Sequence, residues 1–355
     1  MKKRTILSVL IIICVYFALF TLSSCHKDEN PVKPVDPPPP VHPDTADRYV
    51  WKVYYPAIHP TFVYAADTDR VYMIGDGYLQ LYNGLHIGVY NLNYQDFNAD
   101  NVYGYDKNNV FVIGAFWISE KRYPGLKKIS NGGYTDYHWN DTGAYLYDMF
   151  VTGPNQLWIS ALYTSKVYYF NNGIVDTYKI NSTDSLLYEF FYKGKDNSFY
   201  IFAMQSSNEQ NGYFYTYKFV NDHFELLNKE YYNDFPYLYR CGVDVLMRTY
   251  HSQNIKYFDG NGWVYHSTYD SLYTEIPVKI GGVSKDSLTA ISNDWGRIKT
   301  YGYTSGWRDE KFMWDEPSAN RLKYNVEAKF GNIYFTVWGL GNSLYIGRPN
   351  KNLKN

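Results

Sequence analysis

Two stretches decide the fold: Asp67-Thr68-Asp69-Arg70-Val71-Tyr72-Met73-Ile74-Gly75 and Asp106-Lys107-Asn108-Asn109-Val110-Phe111-Val112-Ile113-Gly114. Each opens on a polar turn and continues through β-branched and aromatic residues to a glycine. A short apolar run of this composition between turn residues reads as a buried strand. A third copy follows at Gly153-Pro154-Asn155-Gln156 before Leu157-Trp158-Ile159-Ser160, and fainter ones precede Phe199, Val245, Leu288 and Ile333. The intervals between these seven anchors are 39, 47, 42, 46, 43 and 45 residues.

That period, roughly 40–45 residues, is the length of a four-stranded propeller blade. A second landmark recurs downstream of most anchors, a turn rich in Asn and Gly between two strands. It occurs at Tyr82-Asn83-Gly84, Asn131-Gly132-Gly133, Phe170-Asn171-Asn172-Gly173, Val220-Asn221-Asp222, Phe258-Asp259-Gly260-Asn261-Gly262-Trp263 and Thr304-Ser305-Gly306-Trp307. Such residues supply the positive φ of hairpin turns. The last repeat lacks this final strand, while Tyr49-Val50-Trp51-Lys52-Val53-Tyr54 stands unused before the first anchor. The expectation is an all-β, seven-bladed β-propeller over residues 48–350, closed by the N-terminal strand, with a polar tail at 351–355. A stacked open solenoid is the alternative. Residues 185–191 read as a connector between blades.

Composition agrees. The chain has 355 residues, 20% of them aromatic with 41 Tyr, and 19% charged. Tyrosine suits half-buried strands, its ring inward and its hydroxyl at water. The formal charge of −1 offers no basic field for nucleic acid, so no nucleic-acid partner is expected. The three cysteines, Cys14, Cys25 and Cys241, give no disulfide framework. Cys241 reads as a small buried apolar residue.

The N-terminus carries a different signal. Lys2-Lys3-Arg4 precede an uncharged run at 6–22, and Leu22-Ser23-Ser24-Cys25 follows. This resembles the lipobox of bacterial lipoproteins. The resemblance implies a signal peptide over 1–24, cleavage before Cys25, and lipid (palmitate among the acyl chains) on that cysteine as the membrane anchor. His26 after the cysteine implies the outer membrane, and Lys27-Asp28-Glu29-Asn30 resembles the export signal of Bacteroidetes surface lipoproteins, which implies an outward-facing body. Loss of three leader cations takes the mature charge from −1 to −4. Residues 25–47 form a proline-rich tether, extended at about 3.1 Å per residue. Asp44-Thr45-Ala46 resembles a Bacteroidetes O-glycosylation site, with Thr45 the acceptor; Asp184-Ser185-Leu186, Asp270-Ser271-Leu272 and Asp286-Ser287-Leu288 share the pattern as polar turns. The repeats themselves look like the degenerate propeller repeats of secreted bacterial lipoproteins, which implies architecture rather than activity.

Catalytic signatures are absent from the sequence. The histidines at 26, 42, 59, 86, 138, 223, 251 and 266 are scattered, with only His251 and His266 placed as cross-strand candidates. There is no nucleophile elbow and no phosphate loop. Ser292-Asn293-Asp294-Trp295-Gly296 resembles the start of a sialidase Asp-box, but Lys299 stands where that motif has an aromatic. No catalytic, metal or cofactor-binding residue is assigned and no cofactor is expected. Tyr231-Tyr232, Phe235-Pro236 and Tyr237-Leu238-Tyr239 are expected to project from the rims, where tyrosines stack on sugars or anchor proteins. The functional expectation is a monomeric, non-catalytic binding module for a glycan or an envelope protein; a propeller-fold glycan hydrolase or lyase is the rival.

Overall fold

In the computed structural model the described residues span 49–349, apart from 55–59, 91, 93–95, 131, 163, 181–185, 187, 209–210, 242–243, 250–251, 270–276, 293–297, 303–305, 311–324, 331–332 and 339–342. The expected signal peptide, Cys25, the expected tether with Thr45, and the Asp-box-like residues 293–296 lie outside them.

The described residues form an all-β propeller of four-stranded antiparallel blades. Strand β1 (Tyr49–Tyr54) comes first. Blade 1 is β2 (Phe62–Asp67), β3 (Arg70–Gly75), β4 (Tyr78–Tyr82) and β5 (Ile87–Val89). Blade 2 is β6 (Phe97–Asp106), β7 (Asn109–Ile118), β8 (Lys121–Ser130) and β9 (Gly133–His138). Blade 3 is β10 (Tyr145–Gly153), β11 (Gln156–Leu162), β12 (Lys166–Asn171) and β13 (Ile174–Lys179). Blade 4 is β14 (Tyr188–Lys193), β15 (Phe199–Asn208), β16 (Asn211–Val220) and β17 (His223–Tyr232). Blade 5 is β18 (Pro236–Cys241), β19 (Asp244–Thr249), β20 (Asn254–Phe258) and β21 (Trp263–Thr268). Blade 6 is β22 (Pro277–Ser284), β23 (Ser287–Ser292), β24 (Ile298–Gly302) and β25 (Gly306–Glu310).

Six blades are thus single uninterrupted runs of four strands, against seven repeats in the sequence. The repeat anchored at Ile333 falls in a composite sheet instead. There β26 (Asn325–Phe330), β27 (Ile333–Trp338) and β28 (Ser343–Pro349) are joined by β1, which pairs antiparallel with β28 from Tyr49↔Pro349 to Tyr54↔Leu344. Chain order explains the difference: this sheet draws strands from both ends of the described chain.

Each anchor lies at or next to the start of the second strand of its sheet, and the polar residues before it turn the first strand into the second. The first strands neighbour one another, β2 beside β6, β6 beside β10, β10 beside β14, β18 beside β22, and β26 beside both β22 and β2. They form the inner ring. Two corrections follow. Residues 185–191 do not merely connect blades, because 188–191 open β14, an inner strand. Likewise Tyr237 and Tyr239 belong to the inner strand β18, with Tyr239 buried, so they pack rather than project. Of the expected rim tyrosines, Tyr231 is exposed and Tyr232 buried.

The anchor runs are continuously apolar because both faces of each blade are covered. Val110 and Val112 pack toward blade 1 with Tyr72, Ile74 and Leu79. Phe111 and Ile113, one step out of phase, pack toward blade 3 with Leu157, Ile159 and Tyr168. The same period of two turns Phe199 and Ile201 toward Trp158 of blade 3, and Tyr200 and Phe202 toward Val245 and Phe258 of blade 5. Each such buried ring contributes on the order of 1.5–3 kcal/mol. Cys241 is fully buried between blades 5 and 6.

The turns joining first to second strands, and third to fourth, share one end of the blades, here called the turn face. Its polar residues tie neighbours together. Lys107 of blade 2 pairs with Asp67 of blade 1 at 3.2 Å, and Lys128 of blade 2 donates to Asn155 of blade 3. Buried Asp244 of blade 5 pairs with Lys195 of blade 4 at 3.2 Å and accepts from the Lys285 backbone N–H of blade 6 at 2.9 Å. The guanidinium of Arg348 in β28 donates to the Thr68 carbonyl of blade 1 at 3.0 Å. The turn residues that announced the repeat therefore also latch one blade to the next.

Candidate functional site on the hairpin face

The opposite end carries the turns between second and third strands and the connections from blade to blade. Two blades stand out there by strand length. Strand β7 runs eight residues past its anchor Val110 and β15 nine past Phe199, against five past Leu157 in β11 and four past Val71 in β3. At about 3.3 Å per residue, the hairpins of blades 2 and 4 rise roughly 10 and 13 Å above blade 3 between them. The blade 2 hairpin turns through Ser119 and Glu120, both at positive φ (49° and 65°), which makes a tight two-residue connection.

Near the top of β7, Trp117 stands directly opposite Arg122 of β8, so the two share a sheet face. Counting by twos from Phe111 and Ile113, that face looks toward blade 3. The Trp117 side chain is 50% exposed. Arg122 pairs with Asp100 of β6 at 3.5 Å, donates to the Ala144 carbonyl at the top of blade 3, and lies over the Tyr145 ring at 3.9 Å. Tyr145, the first residue of β10, is 53% exposed. Burial pushes the Asp100 carboxyl up to about 6, although Arg122 pulls it down. Trp117, Arg122, Asp100 and Tyr145 thus bring two exposed rings and a linked carboxylate–guanidinium pair to one rim. Alongside, Lys166 and Tyr168 of blade 3 donate to Asp141 at 2.6 and 2.7 Å. Burial would raise Asp141, but these two bonds outweigh it and hold it below the usual carboxylate range.

The inner strands carry a cation of their own. Arg240 of β18 reaches past blade 4 to Asp148 of β10 at 3.1 Å and donates to the Phe191 carbonyl of β14 at 3.2 Å. Its guanidinium lies 4.7 Å from the ring of Phe190, 5.0 Å from that of Phe150 and 5.6 Å from that of Tyr103. One cation therefore braces the inner strands of blades 2 to 5. Burial pushes the Asp148 carboxyl upward, against the pull of Arg240 and of the Met149 and Phe191 amides.

Among the described residues the histidines are not gathered. His138 sits against Phe116 with ring centroids 5.6 Å apart, and His223 pairs with Glu225 at 3.0 Å on blade 4. His266 is held below its ordinary value, first by burial and then by Lys285, among Tyr257 and Tyr301. His251 lies outside the described residues. Among the described residues no three His, Cys, Asp or Glu side chains form a metal-binding group. Asp286, in one of the serine-containing turns, is ion-paired to Lys285 at 2.8 Å.

Trp117, Asp100, Arg122 and Tyr145 were not singled out by sequence reasoning; exposed Tyr231 was. The available signal was length: the apolar run from Val110 extends to Ile118, where the matching run from Val71 ends at Gly75.

No family model matches the chain, and no curated protein matches it. Solved structures do. Virginiamycin B lyase from Staphylococcus aureus is similar at a TM-score of 0.60 and 10% identity, covering 85% of this chain and 100% of that one. The protein YCF48, bound to D1 peptide, gives 0.61 and 9% over 87% and 100%. The β-propeller domain of Cps50 (Swd1) from Myceliophteria thermophila gives 0.59 and 9% over 85% and 100%. At these identities the likeness shows the β-propeller fold with degenerate repeats and nothing of the chemistry.

Proposed function

We propose that this protein is a non-catalytic binding module whose ligand, a glycan or a protein, docks on the hairpin face. The observation that carries the reading is the rim cluster of exposed Trp117 and Tyr145 around the Asp100–Arg122 pair. Exposed rings stack on the apolar faces of sugars or anchor protein side chains. The linked carboxylate and guanidinium supply directional acceptors and donors beside them. Arg240 supports a rim site over a channel site, because its guanidinium is already engaged by Asp148, the Phe191 carbonyl and three rings of the inner strands.

We further propose that the sheet of β26–β28 and β1 acts as a seventh blade, and that the body hangs from Cys25 through the tether, lipid-anchored at the outer membrane and facing outward. Thr45 is the proposed O-glycan acceptor, and the body is proposed to be monomeric. Replacing Cys25 with alanine should release an unlipidated form from membranes; continued co-sedimentation through an uncleaved leader would reject the anchor.

The second reading is a glycan hydrolase or lyase, favoured by one observation: the Asp100 carboxyl, pushed to about 6, is suited to exchange protons near neutrality. One solved structure of similar fold is named a lyase, virginiamycin B lyase. Polysaccharide pull-down with the full chain in detergent, followed for both retention and new reducing ends, separates the readings. Retention without cleavage supports the binding module, cleavage supports the enzyme, and neither would send the search to envelope proteins.

A further inference from the structure

The two raised hairpins stand on either side of blade 3. On blade 4, Tyr215 and Tyr217 pack toward blade 3 with Trp158 and Phe199. Tyr213, two residues earlier on β16, therefore shares that face, and Tyr231 of β17 stands opposite it. The Tyr213 and Tyr231 rings meet edge to face at 5.5 Å, and Lys229 lies 4.1 Å over Tyr213. Tyr213 is 40% exposed and Tyr231 63%. Trp117 on blade 2 looks toward the same blade 3 from the other side. Between these walls the floor is Tyr145, the Asp100–Arg122 pair and the Asp141–Lys166 pair.

We infer that this groove over blade 3 binds a neutral oligosaccharide of several units, with one end on Trp117 and the other on Tyr213 and Tyr231. The inference rests on the binding reading above and names its ligand class. Sheets pack about 10 Å apart, so the walls either side of blade 3 stand about 20 Å apart, too far for one sugar to touch both. The floor acids are each matched by a cation, so the floor itself offers no excess charge to a polyanion or polycation while keeping donors and acceptors for hydroxyls. Rings at both ends offer flat faces to sugar C–H surfaces.

The test is calorimetric titration of the full chain in detergent with neutral oligosaccharides of one linkage, from disaccharide to hexasaccharide. Parent and Tyr231→Ala proteins are compared at matched thermal stability, with Tyr231→Phe as the variant that keeps the ring. Affinity should rise with length, and Tyr231→Ala should weaken the hexasaccharide roughly tenfold while leaving the disaccharide unchanged and Tyr231→Phe near parental. Length-independent affinity, or a hexasaccharide indifferent to Tyr231→Ala, overturns the spanning groove while leaving the rim site standing. Binding of no neutral sugar, with capture of acidic glycan or peptide instead, overturns the ligand class; silence toward all of them overturns the binding reading as well.

Discussion

The turn face and the hairpin face are built from the same strands, yet they differ in regularity. On the turn face, polar turns repeat from blade to blade, and Asp67, Asn155 and Asp244 each meet a cation or an amide of a neighbour. On the hairpin face, blades 2 and 4 outgrow the rest and carry Trp117, Tyr213 and Tyr231 into solvent. The difference teaches a division of labour: regularity marks the end that holds the ring, and departure from it marks the end proposed to meet a ligand.

Removing the lumen brace should produce the largest effect. Arg240→Ala leaves the Asp148 carboxyl buried without its cation, a loss of about 3–5 kcal/mol. Denaturant unfolding measures it, and a loss of a few tenths would show that water already reaches Asp148. Next comes the turn face. Asp244→Ala forfeits an ion pair and an amide hydrogen bond at a buried site and should cost about 2–3 kcal/mol. Asp67→Ala, at a more exposed pair, should cost under about 1 kcal/mol and fade with added salt. Equal costs at the two sites would mean burial does not grade the latches.

The smallest effect concerns pH. Burial raises the folded Asp100 carboxyl to about 6, above its ordinary 3.8, so ionising it disfavours the fold as pH climbs through 6. Stability should therefore gain from Asp100 as pH falls from 7 toward 4. Asp100→Asn should flatten that part of the stability–pH curve. Ligand retention should change near pH 6 as well, where the carboxyl passes from donor to acceptor. A parental curve matching that of the variant would show that the Asp100 environment is wet.

What was legible in the sequence follows the same division. The period was readable because a positive-φ or Asx turn admits few residue types, and because blades covered on both faces demand continuous apolar runs such as Val110–Ile113. The strand pairing of Tyr49–Tyr54 was readable from what the last repeat lacked. The inner strand β14 was not, because Glu189 interrupts its apolar run and residues 185–191 mimic a helical spacing. The tyrosines of β18 misled because a ring in an inner strand and a ring on a rim look alike in sequence. Asp100, Arg122 and Arg240 belong to no motif; Asp100 and Arg122 meet through the folding of blade 2, 22 residues apart, and Arg240 meets Asp148 only through the ring, 92 residues away. Exposure of Trp117 depends on how far β7 outruns its neighbours, which emerges only when strands are aligned on their anchors.

The most direct measurement sets the two faces against each other: melting temperature and glycan retention of Trp117→Ala and Asp244→Ala beside the parent. Trp117→Ala should melt as the parent does and lose retention, while Asp244→Ala should melt several degrees lower, about 2–4 °C per kcal/mol for a body of this size or somewhat less, and retain ligand below its transition. A Trp117→Ala protein that keeps full retention, or that loses stability as Asp244→Ala does, would contradict the assignment of binding to the hairpin face.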